Sequence, residues 1–280
     1  MSKLWTFGDS FTFGHGCRKM NDDETSNYNL IYSAYIDATK LTWPEYVATK
    51  LNFKLLNYGF NGVSNDYILD NVLNQFHNFK KEDVIVIQTS TSARYDFPFF
   101  KKKRLMGGWH NEEHDDIYDN TNKSPYFFKT IFSTNIKNDY EDGGETTLLH
   151  STSGDNTDNL KLSKNKYETI RNFFTEFVST KKYYEVQIWR LIQIYNILES
   201  LGFNVYIIHE DYWPTTCIKP KNLISTSDDG LLQQIIRDGE TILQDTNGRI
   251  IDYHPSYKGH ETIAKNILKK INENINLHHT

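Results

Sequence analysis

Short apolar runs alternate along this chain with segments whose apolar positions recur every three or four residues. Residues 3–7, with Leu4, Trp5 and Phe7, read as a buried strand. Trp43-Pro44-Glu45 opens a helix to about Leu51, a proline being tolerated in a first turn. Phe53 to Leu56 reads as a second strand that ends at Asn57-Tyr58-Gly59. Ile68, Leu69, Val72, Leu73 and Phe76 fall at helical spacing and predict an amphipathic helix over 64–78. Val84-Ile85-Val86-Ile87 is a continuous run of β-branched residues, the pattern of a strand covered on both faces.

The pattern then breaks. From about Pro98 to Asn165 the chain is rich in Gly, Asn, Asp and Ser, with a Lys101–Arg104 basic run and little periodicity. Scattered aromatics (Trp109, Tyr118, Tyr126, Phe127, Phe128, Phe132) predict a packed, irregular insertion, of the kind that serves as a lid or a substrate-recognition segment. Helical spacing returns over about 166–201, where Ile188, Leu191, Ile192, Tyr195 and Leu198 form a stripe that Gly202 ends. Asn204 to Ile208 reads as a fourth strand and Ile250-Ile251 as the remnant of a fifth. Ser256 caps a last helix to about residue 274. Strands alternating with helices predict an α/β fold with a parallel sheet, one domain spanning residues 1–280.

In open parallel sheets, ligands bind beyond the carboxyl ends of the strands. Polar clusters follow all four clear strands: Gly8-Asp9-Ser10, Asn57 to Ser64, Gln88 to Arg94, and His209-Glu210-Asp211. Asp252 and His254 follow the last. A serine on a tight turn and a late Asp/His pair are the parts needed to make a hydroxyl attack a carbonyl.

These blocks, in this order, resemble those of the SGNH (GDSL-type) hydrolases. Gly8-Asp9-Ser10, followed by Thr12 and Gly14, is similar to the family's first block; Asn57-Tyr58-Gly59-Phe60-Asn61-Gly62 to its second; and Asp252, His254 and Pro255 to its last. The resemblance implies a flavodoxin-like three-layer α/β/α sandwich on a five-stranded parallel sheet, with a long insertion after the third strand. It also implies Ser10 as nucleophile, His254 as base, Asp252 as the group orienting it, and the Gly62 N–H, beside Asn61, as an oxyanion donor. Two departures stand out. The family's third block supplies an asparagine as a further donor, and here an ungapped reading places Thr91 there, with Gln88 and Arg94 as alternatives. Only Tyr253 separates Asp252 from His254, where two residues are usual. Because Pro255 biases His254 toward an extended backbone, Asp252 and His254 are read as facing opposite sides, which sets a Ser10/His254 dyad beside the full triad.

The remaining features narrow the picture by exclusion. A net charge of -5 and a pI near 6.1 speak against a general nucleic-acid binder. No run of about 18 apolar residues suggests a membrane span, and the segment leading to Ser10 lacks the core and cleavage site of a signal peptide. A cytoplasmic setting is the default expectation, with a viral particle as another. Cys17 and Cys217 read as reduced thiols. Asp9 reads as a group that bonds turn N–H groups, His15 as a pocket-rim residue, and His260 as an exposed helix residue. His110-Asn111-Glu112-Glu113-His114 matches a zinc pattern, but Gly107-Gly108 before it and Asp115-Asp116 after it deny it a helix. No metal or other cofactor is expected. Tyr212 and Trp213, with the insertion's aromatics, are read as a stacking platform for sugar rings. The expectation is a serine esterase acting on a small acyl ester or an O-acylated, most simply O-acetylated, carbohydrate. A catalytically silent glycan-binding module and an acyltransferase on the same scaffold are the alternatives.

Overall fold

The computed structural model describes residues 1–14, 17, 40–60, 63–90, 94–100, 126–133, 149–151, 180–210, 213–224, 242–244 and 250–277. Their contacts divide the chain into two units, one of Met1–Asn61, Asn78–Ser90 and Ile192–Thr280, the other of Gly62–His77 and Thr91–Leu191.

The first unit holds a five-stranded sheet built from β1 (Lys3–Gly8), β2 (Lys54–Gly59), β3 (Val84–Gln88), β7 (Asn204–Ile208) and β8 (Leu223–Ile224). Their order is β2-β1-β3-β7-β8 and every pair is parallel. With its helices this is the framework of a three-layer α/β/α sandwich. The chain moves from β1 outward to β2 and then crosses back over β1 to β3. The order of strands therefore reverses between β1 and β3, and a crevice opens at their carboxyl ends.

Alternation along the strands sorts the side chains onto two faces. Leu4, Val84, Val86, Tyr206 and Ile208 pack with Trp43, Val47 and Ala48 of α2 (Trp43–Leu51) and with Ile263, Ala264, Ile267 and Ile271 of α5 (Tyr257–Leu277). The opposite face is aromatic. Phe7 stacks on Tyr58 at 5.2 Å, and Phe79 meets Trp5, Phe7 and Phe203 edge-on. Burial raises the pKa of the Tyr58 phenol in this layer. Cys17 and Cys217 are buried and are not joined in a disulfide.

Asp83, buried just before β3, ties the amino end of the sheet together. Its carboxylate accepts from Lys3 N at 2.8 Å, Trp5 Nε1 at 2.9 Å and Lys80 N at 3.2 Å. Asp83→Ala leaves three donors without that acceptor and is expected to cost about 3 kcal/mol, since orphaned buried donors bear their full desolvation penalty. Urea unfolding would show it as a lower midpoint at unchanged slope.

The second unit contains α3 (Asn65–Gln75), β4 (Arg94–Phe100), β5 (Tyr126–Ser133), β6 (Leu149–Ser151) and α4 (Thr180–Ser200) as far as Leu191. Ser64 Oγ caps α3, accepting from Asp66 N at 3.1 Å and Tyr67 N at 3.3 Å. The Asp66 carboxylate then joins the two helices, accepting from Tyr183, Gln187 and Arg190. Burial holds the Asp70 carboxyl above its ordinary range, with Arg190 pulling it back down. Strands β4, β5 and β6 form an antiparallel sheet within the segment read from sequence as irregular. Aromatics at alternate positions (Phe97 and Phe99; Tyr126 and Phe128) are strand spacing that the surrounding Gly- and Asn-rich residues obscure.

One sequence expectation is overturned. The sheet's fifth strand is Leu223–Ile224, not Ile250-Ile251. The latter begin β10 (Ile250–Pro255), which pairs antiparallel with β9 (Ile242–Gln244) in a separate ribbon. A two-residue edge strand carries no periodicity to read. Asn222 secures it instead, its Nδ2 donating to Val205 O at 3.0 Å while its own carbonyl accepts from Ile207 N at 3.1 Å.

Candidate active site

β1 ends in a glycine and delivers the chain straight into α1, a single helical turn over Ser10–Phe13. Asp9 is its N-cap, with Oδ1 accepting from Phe11 N at 3.0 Å. Gly14 closes the turn with φ of 98°, a left-handed conformation that favours glycine, and returns its N–H to Ser10 O. Asn57 of β2 braces the turn from the side. Its Nδ2 donates to Thr12 O at 2.9 Å, while its Oδ1 accepts from Thr6 Oγ1 and from Gly59 N.

Ser10 is buried to within 3% of full coverage, and its Oγ lies 2.8 Å from His254 Nε2. The two residues are 244 positions apart in sequence. The histidine sits on β10, directly before Pro255 and the Ser256 cap of α5; Ser256 O accepts from His260 N at 2.9 Å. The Phe11 ring packs against the His254 imidazole at 5.4 Å with the planes 57° apart. A neutral imidazole protonated at Nδ1 presents an acceptor at Nε2. The pair can therefore move the Ser10 proton to His254 as the hydroxyl attacks an electrophile.

The exit of β3 provides the other wall of polar groups. Gln88 Nε2 donates to Asp9 Oδ1 at 2.9 Å, and its Oε1 accepts from Thr12 Oγ1 at 2.5 Å. Ser90 Oγ donates to Asp9 Oδ2 at 3.1 Å. Thr89, pointing the other way, accepts from Glu210 N at 3.0 Å, and its own N–H donates to Ile208 O. Asp9 thus bonds its own turn, as the sequence suggests, but also two side chains at the exit of β3, Gln88 and Ser90. Gln88 is committed to Asp9 and Thr12, so it does not swing toward an oxyanion. Sequence reasoning placed Ser90 and Asn57 in polar clusters at strand ends but gave neither a role. Polar residues two apart at the mouth of an apolar strand, such as Gln88 and Ser90, were the available signal, since such a pair shares one face.

Several sequence candidates lie outside the described residues: Asn61, Gly62 and Thr91, His15, Tyr212, and the run from His110 to His114. Arg94 begins β4 in the second unit, paired with Phe132. Asp252 lies on β10 opposite Leu243, with register shifts on either side of it. Residues two apart in a regular strand share a face, so an extended backbone alone would not separate Asp252 from His254 as expected above. The bulges around Asp252 remove that simple rule in either direction.

Two surface expectations are corrected. His260 is fully buried, its Nδ1 accepting from Trp43 N at 3.3 Å, because the face of α5 that carries it is the face packed on α2. Trp213 is buried, edge-on to His209 at 5.6 Å, with Nε1 donating to Cys217 O at 3.2 Å. It fills core and does not offer a sugar platform. Among the described residues no group of three or more His, Cys, Asp or Glu side chains is placed to hold a metal ion, and no helix is long and apolar enough to cross a membrane.

No protein-family model matches this chain. No curated protein matches it in sequence either. Among solved structures it is similar to a protein assigned to the lipolytic G-D-S-L family from Desulfitobacterium hafniense, at 9% identity over 96% of this chain and 99% of that one, with a TM-score of 0.34. A second member of that family, from Veillonella parvula, gives 13% identity, 96% and 97% coverage and a TM-score of 0.33. A variant of an acetyl xylan esterase from Geobacillus stearothermophilus gives 11%, 96% and 94%, and 0.29. At such scores the functional reading stands on the geometry of the site itself.

Proposed function

We propose that this chain is a metal-independent serine ester hydrolase of the SGNH type. The observation that carries the proposal is the 2.8 Å contact between Ser10 Oγ and His254 Nε2, made by the first loop and the last strand of one unit at the sheet's carboxyl edge. Ser10 Oγ attacks the ester carbonyl while His254 Nε2 takes its proton and then delivers it to the leaving alkoxide. Water, deprotonated by the same imidazole, releases the acid from the acyl-enzyme. The Ser10 N–H is one oxyanion donor, and the sequence resemblance assigns a second to Gly62. Asp252 is the residue assigned to orient the imidazole. The substrate class is a small acyl ester, an O-acetylated carbohydrate being the favoured case.

Purified protein is expected to hydrolyse p-nitrophenyl acetate and to be labelled by a fluorophosphonate at a single peptide containing Ser10. His254→Gln removes the base but keeps a polar side chain of similar length. It is expected to lower kcat on the order of 10²–10⁴-fold. Absence of both turnover and labelling in the unsubstituted protein would overturn the reading and leave a silent binding module. Release of acetylated alcohol in preference to acetate, with an added acceptor, would reassign the chain as a transferase.

A further inference from the structure

Asp9, just before the nucleophile, and Thr12, two residues after it, are held by a single side chain from another strand. Gln88, with no exposure to solvent, accepts from Thr12 Oγ1 through Oε1 and donates to Asp9 Oδ1 through Nε2. Ser90 Oγ supplies a further donor to Asp9, at Oδ2. Phe11 N donates to the same carboxylate, at Oδ1. Asp9 is itself fully buried. A buried carboxylate that loses a donor bears a large penalty, so the turn has strong reason to remain where these groups place it. Gln88 and Ser90 are two apart and project from the same face of the strand exit, while Thr89 between them joins β3 to β7 through Glu210 N. Three successive polar side chains at this exit are thus engaged in bonds within the protein.

We infer that Gln88 and Ser90 are positioning residues for Ser10: the polar exit of β3 clamps the nucleophile turn so that Ser10 Oγ stays in register with His254 Nε2. This rests on the ester-hydrolase reading above and adds to it what the β3 exit does in this chain. Here that exit serves as a brace for the nucleophile, and neither Gln88 nor Ser90 is an oxyanion donor. The bonds that make the clamp run to Asp9 and Thr12 and not to Ser10 Oγ or His254 Nε2. Its effect passes through the geometry of one helical turn, and small misplacements of a reacting group are costly in rate.

The test is steady-state hydrolysis of p-nitrophenyl acetate by full-length Gln88→Leu, Ser90→Ala and Gln88→Glu, with thermal midpoints measured in parallel. Gln88→Leu is expected to lower kcat on the order of 10–100-fold with KM little changed. Ser90→Ala, losing one donor to Asp9 Oδ2, lowers it less. Gln88→Glu sets two carboxylates against each other across the former 2.9 Å contact. It is expected to lower kcat at least as far as Gln88→Leu with KM little changed, whereas a general loss of stability lowers the thermal midpoint and leaves kcat of the folded protein unchanged. Asp83→Ala, remote from the turn, is the control that loses stability and keeps kcat. Wild-type kcat in a folded Gln88→Leu protein, or a loss of kcat no greater than that of an equally destabilised Asp83→Ala, overturns the inference. If Gln88→Leu does not fold, Ser90→Ala decides by the same measure of kcat at constant KM. Lack of turnover in the unsubstituted protein is a separate outcome that removes the hydrolase reading and this inference with it.

Discussion

Ser10→Ala is expected to reduce ester turnover by about 10⁶-fold, with labelling by a fluorophosphonate lost completely. The methyl group cannot form the acyl-enzyme, and His254 is left with no hydroxyl at its Nε2. Residual hydrolysis would come only from whatever stabilisation the oxyanion donors lend to attack by water. The substitution removes one oxygen from a buried site and leaves the backbone of α1 untouched, so the variant is expected to fold with a thermal midpoint close to that of the parent. That separates a catalytic effect from a structural one. Retained turnover in pure, correctly folded Ser10→Ala protein would assign any esterase activity to another nucleophile.

Gly59→Ala should give the largest structural effect, a loss of about 4 kcal/mol or more. A Cβ at Gly59 would lie 2.4 Å from Phe13 N and 2.6 Å from Thr12 C. Both are backbone atoms of the nucleophile turn, so no rotamer change can relieve the contact. Either β2 moves off β1, breaking the register that pairs Gly8 with Gly59, or α1 is pushed away and takes Ser10 with it. Activity is expected to fall in both cases. Chemical denaturation together with turnover on p-nitrophenyl acetate would show the two losses in one protein. Stability equal to the parent would mean that the turn tolerates displacement, and the close packing of β2 on α1 would then not be what fixes the nucleophile.

Much of this was legible in the chain because the relevant physics is local. Val84 to Ile87 announce a strand covered on both sides because no polar residue interrupts them, and each is buried. The helices over 43–51 and from Tyr257 are marked by residues at their starts, Pro44 in one and Ser256 before the other. Ser10 and His254 stood out because each follows a strand signal with the residue types that acyl transfer requires. Leu223–Ile224 did not, since two residues cannot establish a period, and their place in the sheet depends on Asn222 and β7. His260 and Trp213 were misjudged for a related reason. Their surroundings come from α2 and from His209, residues remote or unremarkable in sequence.

The order of amino acids alone marked β1, β2, β3, β7 and the helices that pack on them, and the side chains with the chemistry to act, because apolar period and residue type are properties of a few neighbouring positions. Only the tertiary structure decided that Ser10 meets His254, that Gln88 and Ser90 grip Asp9, and that β10 leaves the sheet to form its own ribbon. Those outcomes depend on which elements pack together across the fold, and pairings between distant residues leave no periodic trace along the chain.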